Sequence, residues 1–124
     1  MSPIYEHKLC VPQSAIDDNG HVGNIEYLRW MLDAATAQTH ATGGAQATRN
    51  ANAAWVVRSH HIEYLRPAFV SENLVVYTWI SNLGHLRSLR KYKIVRNETV
   101  LAKGETDWVL IDANTGRPRT IPEE

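Results

Sequence analysis

The chain has 124 residues, and thirteen basic side chains balance thirteen acidic ones, so its formal net charge is zero. This length suits a single domain, residues 1–124, that can bury its own core. The charge balance excludes a strong attraction to nucleic acid or to a membrane surface. A single cysteine, Cys10, excludes an internal disulfide. No signal peptide or bilayer-spanning segment is recognisable in the sequence, so we expect a cytoplasmic protein.

The first predicted elements are a strand and a helix separated by a polar loop. The strand covers residues 4–12 and ends at a proline. The loop covers residues 17–23. Asn24 is predicted to cap the following helix, because its short side chain can accept a hydrogen bond from an otherwise unpaired backbone N–H. The glycine pair at residues 43–44 is expected to end this helix.

The predicted helix has one apolar face. Apolar residues recur at the i, i+3, i+4 spacing of a buried helical stripe, at Tyr27, Leu28, Met31, Leu32, Ala34 and Ala35. Asp33 and Gln38 are assigned to the other faces. The small and polar residues 45–53 are interpreted as a mobile connection.

Four strand patterns follow, at residues 54–66, 73–81, 85–95 and 99–112. Side chains alternate between the two faces of a strand. In the first of these strands one predicted face carries Trp55, Val57, Ser59, His61, Glu63 and Leu65. In the third, one predicted face carries Leu86, Ser88, Arg90, Tyr92 and Ile94.

The order of elements is therefore strand, helix and four strands joined by short turns. An antiparallel meander has an apolar face to cover, and the chain supplies one long helix to cover it. We predict an α+β fold in which a curved antiparallel sheet wraps around one long central helix.

The loop before the helix concentrates polar side chains in a few positions. Asp17, Asn19, Gly20 and His21 precede a helix start, where backbone N–H groups point outward without partners. Such a place can stabilise a developing negative charge.

Residues 17–27 (DDNGHVGNIEY) resemble the loop motif of the hot-dog-fold acyl thioesterases. The likeness includes the plant acyl-carrier-protein thioesterases and the bacterial 4-hydroxybenzoyl-CoA thioesterase group. Residues 61–68 (HIEYLRPA) and 112–118 (DANTGRP) are similar to further segments of the bacterial group. Gly23 departs from the pattern, because the family commonly has asparagine there.

The resemblance implies hydrolysis of an acyl-CoA or acyl-carrier-protein thioester to a free acid and a thiol. Asp17 would act as the nucleophile or as a general base on water, and both routes stay open. The backbone N–H of Asn24, seven positions later, would polarise the carbonyl. Asn19 and His21 would orient the reacting groups. The family needs no metal or redox cofactor, because CoA or phosphopantetheine enters as part of the substrate.

The resemblance also implies where the substrate binds and how the protein assembles. It implies a homodimer, often paired into a tetramer, with residues 54–66 as the joining edge and two sites at the interface. Ser59 and His61 would then reach the partner's site, and the hydroxyl of Tyr27 is a candidate to reach the chain's own site. The arginines considered for the phosphates of CoA are Arg58, Arg87 and Arg90.

The polar loop and the histidines also suggest metal sites, and the family resemblance allows other functions. A calcium loop starting at Asp17 would need glycine and glutamate where Val22 and Leu28 stand. A zinc site built from the histidines would lack a helix-spaced histidine pair and any thiolate ligand. A hot-dog enoyl-thioester hydratase and a non-catalytic acyl-thioester-binding module remain as alternative functions.

Overall fold

The structure, a computed structural model, describes residues 3–84 and 86–120. The strands are β1 (Tyr5–Cys10), β2 (Ala53–Tyr64), β3 (Asn73–Leu83), β4 (Arg87–Arg96) and β5 (Thr99–Asp112). The helices are α1 (Asn24–Ala41) and α2 (Gly44–Asn50), with a 3-10 turn at Gln13–Ala15. The predicted start of the fourth strand at His85 lies outside the described residues.

The five strands form one antiparallel sheet in the order β1-β3-β4-β5-β2. The curved sheet and its helix confirm the predicted α+β hot-dog architecture. Consecutive strands β3, β4 and β5 pair as neighbours because short turns join them. Strand β2, which precedes them, lies at the far edge against β5.

Helix α1 packs its buried face on the inner side of the sheet. This face comprises Tyr27, Trp30, Met31, Ala34, Ala35 and Gln38. The prediction that Gln38 belongs to an outer face is wrong, because its side chain is buried and hydrogen-bonds to Arg90 and to the carbonyl of Pro3. The sheet therefore presents a polar partner to this end of α1, which apolar periodicity alone does not reveal.

Gly104 on β5 leaves space that a helix side chain occupies. A Cβ atom there would come 2.7 Å from Sδ of Met31, whose side chain is fully buried. Real Cβ contacts are longer than this, so the Met31 side chain fits here because residue 104 has no side chain.

Two expectations about the helix ends differ from the structure. Gly23, with extended dihedral angles, is the N-cap, and Asn24 is the first helical residue. The expected mobile connection instead forms α2, a seven-residue helix. Gly43 has a φ of 83°, a left-handed conformation that glycine adopts without strain, and it lets the chain leave α1 and start α2 at once.

Within the described residues, neither helix combines the length and apolar character that crossing a membrane requires.

Candidate active site

A closed loop brings Asp17 to the start of α1. The backbone N–H of Asp17 donates to the carbonyl of His21 (2.9 Å), and the N–H of Gly20 donates to the carbonyl of Asp17 (3.0 Å). Gly20 has a φ of 83°, which an L side chain rarely adopts. The N–H of Val22 donates to the carbonyl of Ala68 (2.9 Å), so the loop is fixed to the segment after β2.

The carboxylate of Asp17 lies next to the N-cap of α1. Its Oδ1 accepts the N–H of Asn19 at 2.8 Å. A Cβ atom placed on Gly23 would lie 3.7 Å from Cβ of Asp17 and 3.8 Å from its Oδ2. One carboxylate oxygen is thus used within the loop, while the other lies close to the helix N-terminus.

The helix start supplies a hydrogen-bond donor. The N–H of Glu26 donates to the carbonyl of Gly23 (3.0 Å), whereas the N–H of Asn24 has no acceptor among the described residues. First-turn N–H groups have no intrahelical acceptor and carry the positive end of the helix dipole. A carboxylate and a free N–H donor at one site can together attack and polarise a carbonyl group.

The side chains of His21 and Asn24 border this site differently. His21 is half-buried, its Nδ1 lies 3.2 Å from the carbonyl oxygen of Val22, and its ring contacts the edge of Phe69. The side chain of Asn24 is exposed, and the backbone carbonyl of Asn24 accepts a hydrogen bond from the hydroxyl of Tyr64 at 3.1 Å. Sequence reasoning missed Tyr64, because only the fold brings the end of β2 beside the helix start.

Tyr27 lies in the core rather than on the surface of the site. Its hydroxyl accepts the N–H of Ala68 at 3.1 Å, and its ring packs edge-on against Trp30 and Tyr64. Burial raises the pKa of the Tyr27 hydroxyl. The hydroxyl oxygen is thus tied to the protein backbone, and its contact with substrate stays a prediction.

A bulge in β2 changes which side chains face the helix. The register with β5 shifts between Val57 and Ser59, so the alternation predicted across residues 55–65 is interrupted. His60 therefore faces inward, where its Nδ1 lies 2.9 Å from Oγ1 of buried Thr106. Ser59 and His61 lie on the opposite face of the sheet, away from α1, because each follows the new alternation.

The three candidate arginines occupy different environments. Arg58 is the extra residue of the β2 bulge and is exposed. Arg87 is exposed and forms an ion pair with Asp107. Arg90 is only 7% exposed. Its Nη1 contacts Gln38 of α1, and its role toward the phosphates of CoA stays a prediction.

A cavity of about 630 Å³ lies at the other end of α1, between the helices and the sheet. Its wall includes the last turns of α1, the inner side of α2 and the first residues of β2. This volume falls in the range of small-molecule sites. The sequence did not predict that α2 forms part of this wall, because residues 45–53 are interpreted as a mobile connection.

The described residues include no group of three or more histidine, cysteine, aspartate or glutamate side chains placed to hold a metal ion.

Solved structures of other proteins share this fold. YbaW, a probable thioesterase from Escherichia coli, is 24% identical over 94% of this chain and 89% of that chain, with a TM-score of 0.88. The DHNA-CoA thioesterase from Staphylococcus aureus is 21% identical over 94% and 80% of the two chains, with a TM-score of 0.85.

The hypothetical protein SAV2348 from Staphylococcus aureus, in complex with CoA, is 18% identical over 98% of this chain and 78% of that chain, with a TM-score of 0.89. No curated protein matches this chain significantly. The sequence model of the family described as "Thioesterase-like superfamily" matches residues 11–124. The chain therefore belongs to the thioesterase-like superfamily.

Proposed function

We propose that this protein hydrolyses an acyl-CoA or acyl-carrier-protein thioester to the free acid and the thiol. The observation that carries the proposal is the proximity of Asp17 to the N-cap of α1, with Oδ2 3.8 Å from the Cβ position of Gly23. Membership of the thioesterase-like superfamily supports the reaction class. The CoA complex of a structural neighbour supports a CoA thioester as substrate.

Two routes through Asp17 fit this arrangement. In the first, Oδ2 attacks the thioester carbon, the C–S bond breaks, and water then hydrolyses the mixed anhydride. In the second, the carboxylate takes a proton from water as the water oxygen attacks, and the departing thiolate receives a proton. In both, the N–H of Asn24 stabilises the oxyanion.

The roles of Asn19 and His21 follow from their contacts in the loop. The backbone N–H of Asn19 holds Oδ1 of Asp17, which leaves Oδ2 as the reacting oxygen. His21 supplies the carbonyl that accepts the N–H of Asp17, so it fixes the backbone of the nucleophile. Its ring, beside Phe69, borders the space above the carboxylate.

The free edge of β2 supports a homodimer. Strand β2 pairs only with β5 among the described strands. The exposed fractions of Val56, Val57, Tyr64 and Leu65 lie between 39% and 50%. An unpaired edge with apolar side chains is a template for pairing with a second chain. We expect two β2 strands to pair antiparallel around a twofold axis.

The reaction is tested by Asp17→Asn beside Asp18→Asn, because both carboxylates are exposed neighbours in the same loop. Thiol release from a panel of acyl-CoA thioesters should fall by about 100-fold or more in the first variant. It should stay near the parent value in the second. Equal activity in the parent and Asp17→Asn would remove Asp17 from the mechanism.

Other outcomes separate the alternative functions. A change in enoyl absorbance without thiol release would indicate a hydratase. Saturable binding of acyl-CoA without turnover would indicate a binding module. Thermal unfolding of each variant shows whether a loss of activity arises from the site or from loss of the fold.

The dimer is tested by Val56→Lys, with Val70→Lys as the control. The two valines are 39% and 42% exposed, but only Val56 lies on β2. Light scattering should give a dimer for the parent and for Val70→Lys, and a lower mass for Val56→Lys. A monomeric, fully active parent would contradict the assembly.

A further inference from the structure

Arg90 is a buried cation whose observed partners are neutral. Its Nη1 donates to Oε1 of Gln38 and, at 3.2 Å, to Oγ1 of Thr78. Within residues 3–84 and 86–120, no carboxylate lies within ion-pair distance of it. Desolvation lowers the pKa of Arg90, the direction expected for a cation buried without an anion. Buried charges are ordinarily paired, so this guanidinium is suited to an external anion.

The same side chain lies in the wall of the 630 Å³ cavity. Most of the wall is apolar, and the polar part of its lining contains no aspartate or glutamate among the described residues. Its three basic residues are His40, Arg49 and Arg90. His40 and Arg49 are exposed, whereas Arg90 is buried, so Arg90 provides the inner positive charge.

We propose that this cavity holds the acyl group of the substrate and that Arg90 binds a carboxylate at the far end of that group. The inference rests on the proposed thioesterase function and names its substrate class: monothioesters of dicarboxylic acids. Both hydrogen bonds to protein come from Nη1. A guanidinium has five N–H donors, so others remain for a carboxylate.

The position of the cavity links it to a reacting site in a dimer. Ala53, Ala54 and Trp55, at the start of β2, line the cavity. Tyr64, at the end of β2, hydrogen-bonds to the first residue of α1. In an antiparallel pair of β2 strands, the Tyr64 end of one chain lies opposite the Ala53 end of the other. In the proposed dimer, the cavity of one chain would therefore adjoin the helix start of its partner.

The chain's own helix start is farther away. Ala35 is the residue of α1 nearest in sequence to Asn24 that lines the cavity. Ala35 is eleven positions after Asn24, a rise of about 16 Å along the helix. The acyl group would thus enter the cavity of one protomer while its thioester lies at the Asp17 carboxylate of the other.

The test compares matched thioesters on the intact protein. Adipoyl-CoA and hexanoyl-CoA have the same chain length, as do suberoyl-CoA and octanoyl-CoA, and only one of each pair carries a distal carboxylate. For the parent we expect kcat/KM to favour the carboxylated member by about 10- to 100-fold. Arg90→Gln should abolish or reverse this preference, because an amide cannot balance the carboxylate charge.

Arg49→Gln is the matched control. It removes an exposed cation from the same cavity wall and leaves Arg90 in place. We expect it to retain the preference. A loss of preference in Arg49→Gln equal to that in Arg90→Gln would show a general charge effect and overturn the assignment to Arg90.

The outcomes separate this inference from the proposed function. Hydrolysis of the neutral thioesters at rates equal to or above those of the carboxylated ones overturns the inference and leaves the thioesterase function intact. Hydrolysis of no acyl-CoA overturns the function itself. If Arg90→Gln does not fold, inhibition of the parent by free adipate and by hexanoate decides: equal inhibition contradicts a carboxylate site, and stronger inhibition by adipate supports it.

Discussion

The hydroxyl of Tyr27 accepts a 3.1 Å hydrogen bond from the backbone N–H of Ala68, joining the buried face of α1 to the segment after β2. The carbonyl of Ala68 in turn accepts the N–H of Val22, at the end of the Asp17 loop. Ala68 is fully buried. One tyrosine therefore fixes the segment against which the candidate catalytic loop is held.

Tyr27→Phe should destabilise the protein by about 1–3 kcal/mol, because it leaves the buried N–H of Ala68 without an acceptor. Denaturant unfolding measures the change. Tyr64→Phe is the control, since the Tyr64 side chain is 45% exposed and water can replace its hydroxyl partner. Equal effects of the two substitutions would contradict the anchoring role of Tyr27.

The two glycines of the loop should respond in opposite directions. Gly20→Ala should cost about 1–2 kcal/mol, because φ is 83° and a Cβ there has no contact within 4 Å to compensate. Gly23→Asn should stabilise by about 0.5 kcal/mol, because its backbone is extended and asparagine is a better N-cap than glycine. Thermal unfolding of both variants checks the signs. Stabilisation by Gly20→Ala would rule out the strain argument.

Gly104→Ala should destabilise the protein by about 1–3 kcal/mol, because the new Cβ meets the side chain of buried Met31. Met31→Ala alone should cost about 2–5 kcal/mol by leaving a cavity. The double variant should cost less than the sum, since the added methyl partly fills that cavity. Strict additivity in denaturant unfolding would show that the two residues do not touch.

His60 should make stability depend on pH. Desolvation lowers the pKa of His60, so near and below its unfolded value of about 6.5 the unfolded chain binds more protons than the folded one. Stability therefore falls as the pH decreases through this range. As the pH decreases from about 8 to about 5, the free energy of unfolding should fall less steeply in His60→Gln than in the parent. Parallel curves for the two proteins would contradict the assignment.

Much of the fold follows from local sequence patterns. Apolar spacing identifies α1, and alternating or β-branched runs identify the strands, because these periods are properties of the backbone itself. The loop motif around Asp17 is likewise local, since its residues lie within a few positions of the helix that they precede. Its proposed chemistry remains a prediction for Asp17→Asn to test.

Sequence patterns fail where one strand meets another. The bulge between Val57 and Ser59 inverts the alternation of β2, so His60 rather than His61 lies on the sheet face of buried Thr106. A single extra residue changes the phase of every later side chain, and cross-strand register is not encoded in a local period.

The sequence by itself determined the order of the elements, the α+β class and the position of the polar loop before α1, because each depends on neighbours along the chain. The tertiary structure alone decided that Arg90 is buried beside Gln38, that the Met31 side chain packs against Gly104, and that α2 forms part of a cavity wall. Those relationships join residues far apart in the chain, and close packing rather than local propensity selects them.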